Sequence, residues 1–492
     1  MTICVMKTNL LAIFGLVSVL NLQSSVLVLA SSLDFAEAWV QRYDGPGNGS
    51  DRATAMGVDL NGNVYVTGDS TASRGLSADW ATVAYSSAGL PLWTNRYNGP
   101  GNFNDFARAM AVDASGNVIV TGWSDGGESA YDFATIKYSS AGIPLWTNRY
   151  SGWARGQDYA RAVAVDAGGN VAVTGSSDDG GGLDYATIKY SSAGVALWTN
   201  RYGGLENYHD MATALAVDRG GNVIVTGSSY NGANDDYVTV KYSSSGVPLW
   251  TNRENGPANG MDAARGVAVD ASGNVVVTGA VAARHGRLDY ATIKYSSAGV
   301  LLWINHYNGP GNGDDMPCTL AVDASGDVLV TGYSAATNVF PGDEAYTTIK
   351  YSSTGAPLWT NRYHGPGKGE DHANGVGVDA RGNVYVTGCS TGGGSRDYAT
   401  IKYSSAGLPL WTNRYNGPGN GPDAARALAV DVSGNVYVTG PSTGIGGGFD
   451  YATIKYAPPV PAQSIPSHQP PAALTHSASP PASLPLPRAG DR

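Results

Sequence analysis

The chain has 492 residues, of which 67 are glycine, 29 tyrosine and 11 tryptophan, and only 14% are charged. Roughly twice the ordinary glycine share without a three-residue glycine period excludes collagen, and this many aromatics with so little charge excludes an acidic disordered chain. Three cysteines are too few for a disulfide-stapled miniprotein, and a net charge of −10 argues against nucleic acid as a partner.

Residues 1–30 read as a signal peptide. Lys7 supplies the positive start, Leu10–Leu20 (LLAIFGLVSVL) the apolar core, and Val28-Leu29-Ala30 the small residues before a cleavage expected ahead of Ser31. The core is too short to span a bilayer, and no other stretch of the mature chain could do so. The expected product is exported, to the medium or the cell envelope. Of the cysteines left after cleavage, Cys318 and Cys389 stand at non-equivalent places and are expected to be free, mostly buried thiols.

Residues 31–456 are one unit repeated eight times. A lone strand, Ala36–Tyr43 (AEAWVQRY), opens the region. "VDxxGNVxVTG" then recurs with its Asp at 59, 113, 166, 218, 270, 323, 379 and 431, and "LWTNRY" recurs about every 53 residues, with tryptophans from Trp39 to Trp411. The second unit shows the pattern. Phe106–Asp113 alternates with period two, and Asp113–Asn117 is a tight turn with Gly116 free to take positive φ. Asn117–Thr121 (NVIVT) is β-branched and returns as a strand. Phe133–Tyr138 is a third strand, Ser139–Gly142 a second tight turn, and Pro144–Tyr150 a fourth strand. No window of useful length has helical periodicity. A four-stranded unit of this size cannot bury both faces alone, which predicts an all-β, eight-bladed β-propeller of four-stranded antiparallel blades, with the fourth-strand Trp wedged between neighbours. The chain enters on an outer strand without a blade and leaves after a third strand, Tyr451–Tyr456, without an outer one. Pairing one N-terminal with three C-terminal strands removes both exposed edges and closes the ring. Residues 457–492 hold 10 of the 25 prolines and read as a disordered Pro/Ala/Ser-rich tail.

These phrases, "GNVYVTG…DYATIKYSSAGLPLWTNRY", resemble the bacterial SBBP-type β-propeller repeat of exported and surface proteins, over about residues 36–456. A weaker resemblance is to quinoprotein propellers. Ile136 to Trp146 keeps the spacing, the Gly and the Trp of their docking motif, but Ile136, Tyr138 and Ala141 replace its Ala, Asp and Thr. That second resemblance implies the fold and not the catalysis, and no cofactor is expected.

Residues shared by all units are most economically structural. Asp51, Asp105, Asp158, Asp210, Asp262, Asp315, Asp371 and Asp423 precede the first strands and form an acidic ring at one mouth of the channel. It is a cation or polyamine site, or, as favoured here, a set of carboxylates bonded to loop amides or to Arg96-type residues. The spacing lacks the density of a calcium loop. Lys137, Arg149 and their equivalents form ladders explained by contact with the docking Trp or by a bond to the leading Asp of the third strand. Function is sought where the repeats differ, in the loops after strands two and four, which share one face. There Trp123, Trp153, Tyr208, His209 and Tyr230 are candidates for binding a glycan or an extracellular or envelope protein, because aromatic faces beside Asp, Asn and Gly suit sugars and extended peptides. The competing reading is that these rings cover their own loops. Arg284, His285 and Arg287 form a basic loop, and His364 and His372 lack further ligands for a zinc site. No nucleophile elbow or phosphate loop is present, and no carboxylate pair is singled out for glycoside hydrolysis. The leading expectation is a monomeric, non-catalytic exported binding scaffold. The alternatives are a propeller enzyme (a polysaccharide hydrolase or lyase, or a degenerate quinoprotein) and a purely architectural envelope protein.

Overall fold

The computed structural model describes residues 35–458 apart from 72–76, 128–129, 153–155, 179, 205–207, 285, 336–342 and 368. The leader, nearly all of the tail, Trp153 and His285 therefore lie outside the described residues. Within them are 32 strands and no helix, hence none long and apolar enough to cross a membrane. The strands form eight sheets of four, each antiparallel.

In the second blade the inner strand is Asp105–Val112, followed by Val118–Asp125, Tyr131–Tyr138 and the outer strand Pro144–Tyr150. Both connecting turns are three-residue reversals, closed by Asp113 with Asn117 and by Ser139 with Ile143, whose last residue, Gly116 or Gly142, takes a φ of about +80°. The blades make no core of their own. Each apolar cluster spans two neighbours, as where Tyr65 and Trp80 of the first blade pack on Val118, Val120 and Ile136 of the second. Trp93 of the first blade sits on the second blade's Ser-Ser-Ala-Gly turn. Its Nε1 donates to the Ser140 carbonyl (2.9 Å), and Asn95 Nδ2 donates to the Gly142 carbonyl (2.7 Å). A Cβ on Gly142 would lie 2.7 Å from the indole, so this glycine is required for contact as well as for φ.

The ring closes as expected. Ala36–Tyr43 pairs antiparallel with Phe449–Ala457, from Trp39 opposite Lys455 to Tyr43 opposite Tyr451, and completes the sheet of the last three strands. The composite eighth blade has no Ser-Ser-Ala-Gly turn to offer Trp411. Phe35 stacks on that indole instead (5.7 Å), and Trp411 Nε1 and Asn413 Nδ2 are left without partners.

Candidate functional site

The eight aspartates that begin the inner strands are fully buried. One oxygen of each accepts the N–H of a glycine in its own preceding loop, from Gly45 on Asp51 to Gly417 on Asp423, at 2.5–2.7 Å. In five blades the other oxygen accepts an amide at the end of the second strand, such as Asp125 N on Asp105. These carboxylates tie loop to sheet and do not face the channel as a ring of solvated charge. Burial raises Asp51, Asp105, Asp158, Asp262 and Asp423 and pushes Asp315 up to about 6. A raised value means the stability tied to Asp315 is full below pH ~4 and lost as pH rises through about 6. Asp315→Asn, which keeps an acceptor for Gly309 but cannot ionise, is expected to be more stable than wild type at pH 7 by about 1–2 kcal/mol and equal to it at pH 4, by denaturant titration. Asp44, Asp51 and Asp450 bring oxygens within 4.8 Å of one another, but Asp450 is already bonded by Arg42.

The arginine ladder lies where expected. Arg149 bonds Asp132, the leading acid of its third strand (2.7 Å), together with Ser124 and the hydroxyl of Tyr97 from the preceding blade. The lysine ladder does not. Lys137 neither stacks on the docking Trp nor reaches Asp132; it pairs with the turn residue Asp113 at 2.9 Å, both side chains being under 10% exposed. The register explains this: Lys137 stands directly opposite Ile119, and the short aliphatic residue leaves its ammonium a path to the turn. Where tyrosine occupies that second-strand position, as at Tyr65, Tyr385 and Tyr437, its hydroxyl takes the turn aspartate at 3.0–3.1 Å. The first blade then has Ala84 opposite, and Lys402 is displaced onto the Phe35 ring.

The inner strands of the first seven blades each carry a β-bulge near the start, between Ala107 and Ala109 in the second blade. The extra residue is left unpaired and re-aimed. The glycine of VTG makes the bulge possible, because a Cβ on Gly122 would run into the Phe106 carbonyl. The bulge position holds Thr54, Arg108, Arg161, Thr213, Arg265, Cys318 and Asn374 in the first seven blades, and Arg426 holds the same place in the eighth. Thr54, Thr213 and Asn374 bond carbonyls of the next inner strand. The arginines line two hollows instead. One, of 540 Å³, includes Arg52, Asp69, Phe106, Arg108 and Arg426; the other, of 480 Å³, includes Arg108, Trp123, Arg161, Arg265 and Cys318. Residues from blades two to six line the second hollow, so it opens into the central channel. Cys389 is buried as expected, but Cys318, on the wall of the second hollow, is only half-buried; desolvation pushes its thiol up to about 11, and neither is in a disulfide.

Of the sequence candidates, Trp123 belongs to this site. Its ring meets Phe106 (5.7 Å) and the edge of Tyr159 (5.2 Å), and the Arg108 guanidinium lies 4.2 Å from its centre. Tyr208 and Tyr230 stack on each other at 4.1 Å without ring contact to that cluster, and His209 Nδ1 accepts the Leu183 amide. His364 and His372 do not converge: the first faces Asp343, while the second stacks on Tyr333 and bonds Glu344. Arg287 pairs with Asp314 at 3.4 Å. The channel arginines were missed in the sequence. Their signal is a single position, three residues past the buried aspartate, where the repeat alternates among Arg, Thr, Cys and Asn.

Residues 39–74 match the family model of the SBBP β-propeller repeat. An uncharacterized WD repeat-containing protein of Acanthamoeba polyphaga mimivirus is 23% identical, over 81% of this chain and 32% of that protein. A regulatory protein of Caulobacter vibrioides is 35% identical over 136 residues, 25% of this chain and 13% of that protein. The chain thus matches a third or less of the length of these relatives. Among solved structures, Sqt1 from Chaetomium thermophilum has a TM-score of 0.53 at 12% identity, covering 87% of this chain and all of that one. Its complex with the N-terminus of ribosomal protein L10 scores 0.54 at 11% identity, over 86% of this chain and all of that one. The likeness to Sqt1 is one of fold. This chain is a β-propeller protein carrying the SBBP repeat, matched at residues 39–74, in a closed ring of eight blades.

Proposed function

We propose that this propeller is a non-catalytic binding scaffold, exported on the leader at residues 1–30, whose ligand is a glycan docking on the variable-loop face at Trp123. The observation that carries this reading is the Phe106–Trp123–Tyr131–Tyr159 ring cluster beside an open hollow. Aromatic faces next to polar groups bind pyranose rings by combining apolar stacking with hydrogen bonding. Trp153, which lies outside the described residues, belongs to the same proposal on its sequence position, five residues before Asp158. A protein segment is the second reading, supported by the Sqt1 propeller, which is described bound to the N-terminus of ribosomal protein L10. Glycan arrays and peptide pull-downs with wild type and Trp123→Ala test both. The expected result is a loss of about tenfold or more in affinity for the bound ligand with an unchanged melting curve. Undiminished binding by Trp123→Ala would sink the site assignment.

A further inference from the structure

We propose that the channel mouth is an oxyanion site that takes the carboxylate groups of an acidic carbohydrate. This rests on the glycan reading above and adds the charge that the glycan must carry.

The bulge places four arginines, Arg108, Arg161, Arg265 and Arg426, toward the channel, and Arg52 joins them in one hollow. Elsewhere in the ring Arg42, Arg96, Arg149, Arg201, Arg253 and Arg414 are each neutralised by an acid at 2.6–3.1 Å. The four channel arginines form no side-chain hydrogen bond or ion pair among the described residues, and Arg108 Nε is buried with no acceptor. Among the described residues the only acid lining either hollow is Asp69, itself buried. So a chain of net charge −10 concentrates unpaired positive charge in these two hollows, where low-dielectric walls focus the field.

Burial first, and then repulsion from Arg161 and Arg426, lowers Arg108 from its ordinary value despite the attraction of Asp69. Like charges held together at this cost are relieved by an anion. The guanidinium geometry suits a carboxylate, since an arginine stacked over an aromatic face keeps its N–H edge free for paired in-plane bonds. Arg108 over Trp123 is such a stack. A uronate unit offers what this pair recognises: a carboxylate for the guanidinium beside a C–H face for the ring. An acidic peptide offers the charge without that face.

The test is calorimetric titration of the full chain with oligogalacturonate, an uncharged galacto-oligosaccharide and polyglutamate. Proteins compared are wild type, Arg108→Gln/Arg161→Gln, and Arg219→Gln/Arg381→Gln, which removes the same charge from turns on the opposite face. Oligogalacturonate is expected to bind wild type and raise its melting temperature, and to weaken steeply as salt goes from about 50 to about 300 mM. Arg108→Gln/Arg161→Gln should lose at least about tenfold in affinity without melting lower, and Arg219→Gln/Arg381→Gln should bind as wild type. Equal binding of the charged and uncharged sugars, abolished by Trp123→Ala, would overturn the oxyanion site and leave the glycan reading standing. Polyglutamate bound through the same arginines while oligogalacturonate is not would replace the carbohydrate with an acidic peptide. Failure of every anion to bind would overturn the proposal.

Discussion

Replacing Arg42 with methionine is expected to open the ring. Arg42 stands on the N-terminal strand and bonds Asp450 (2.6 Å), Ser442 and the hydroxyl of Tyr415, so one guanidinium joins residues about 400 positions apart. Its side chain is 22% exposed and that of Asp450 14%. Removing one partner of such a pair strands the other charge and two hydroxyl acceptors, at a cost of about 3–5 kcal/mol. Arg149→Met removes the equivalent bonds of the second blade, to Asp132, Ser124 and the preceding blade's Tyr97, where all four strands of the blade are consecutive in the chain. The two variants should therefore lose similar local energy and differ in what comes apart. In Arg42→Met, hydrogen exchange should accelerate first over 36–43 and 449–457, because the strand held from a distance is released as a unit. In Arg149→Met no strand detaches before global unfolding. Equal protection of 36–43 in wild type and Arg42→Met would show that the seam is held by the strand ladder and its apolar cluster alone.

The second large effect is expected at the turn aspartates of the lysine blades. Asp113→Asn leaves Lys137, whose side chain is 4% exposed, charged and unpaired in the interior. The expected loss is about 3–5 kcal/mol, read as a fall in the denaturation midpoint. In the seventh blade the same change at Asp379 should cost about 1 kcal/mol, because the neutral Tyr385 hydroxyl can still bond an asparagine and Lys402 lies elsewhere. The double variant Asp113→Asn/Lys137→Met should recover much of the loss, since it removes the stranded charge. A single-variant loss as small at 113 as at 379 would contradict the pairing.

The lysine-paired aspartates also set the acid limit. Burial alone would raise Asp113, Asp166, Asp218 and Asp270, but the bonds from their Asn and Lys partners together outweigh it and hold them below the ordinary value. Stability from these groups is present above pH ~4 and is lost as pH falls through their folded values.

The blade count, the strand order within each blade and the closure were legible because each is local. A period-two strand such as Phe106–Asp113, a turn such as Ser139–Gly142 and a lone Ala36–Tyr43 carry their instructions in neighbouring residues. Partner choice was less legible. Lys137 and Arg149 looked alike as ladders, but only strand register shows that Lys137 stands opposite Ile119 and so reaches Asp113, while Arg149 reaches Asp132. The aspartate ring read ambiguously because eight equivalent acids fit either a channel or a loop anchor until the Gly45-type amides are seen to take them.

The sequence by itself determined the repeat, its four-strand grammar and the ring, because propensity, turn geometry and the need to cover sheet edges act over a few residues or at the chain's ends. Only the tertiary structure decided what faces the channel. A bulge between Ala107 and Ala109 rotates Arg108 inward, and the ring gathers it with Arg161, Arg265 and Arg426 from 53 to 318 residues away. No local pattern encodes that convergence, because the charges meet only when eight separately folded blades share one axis.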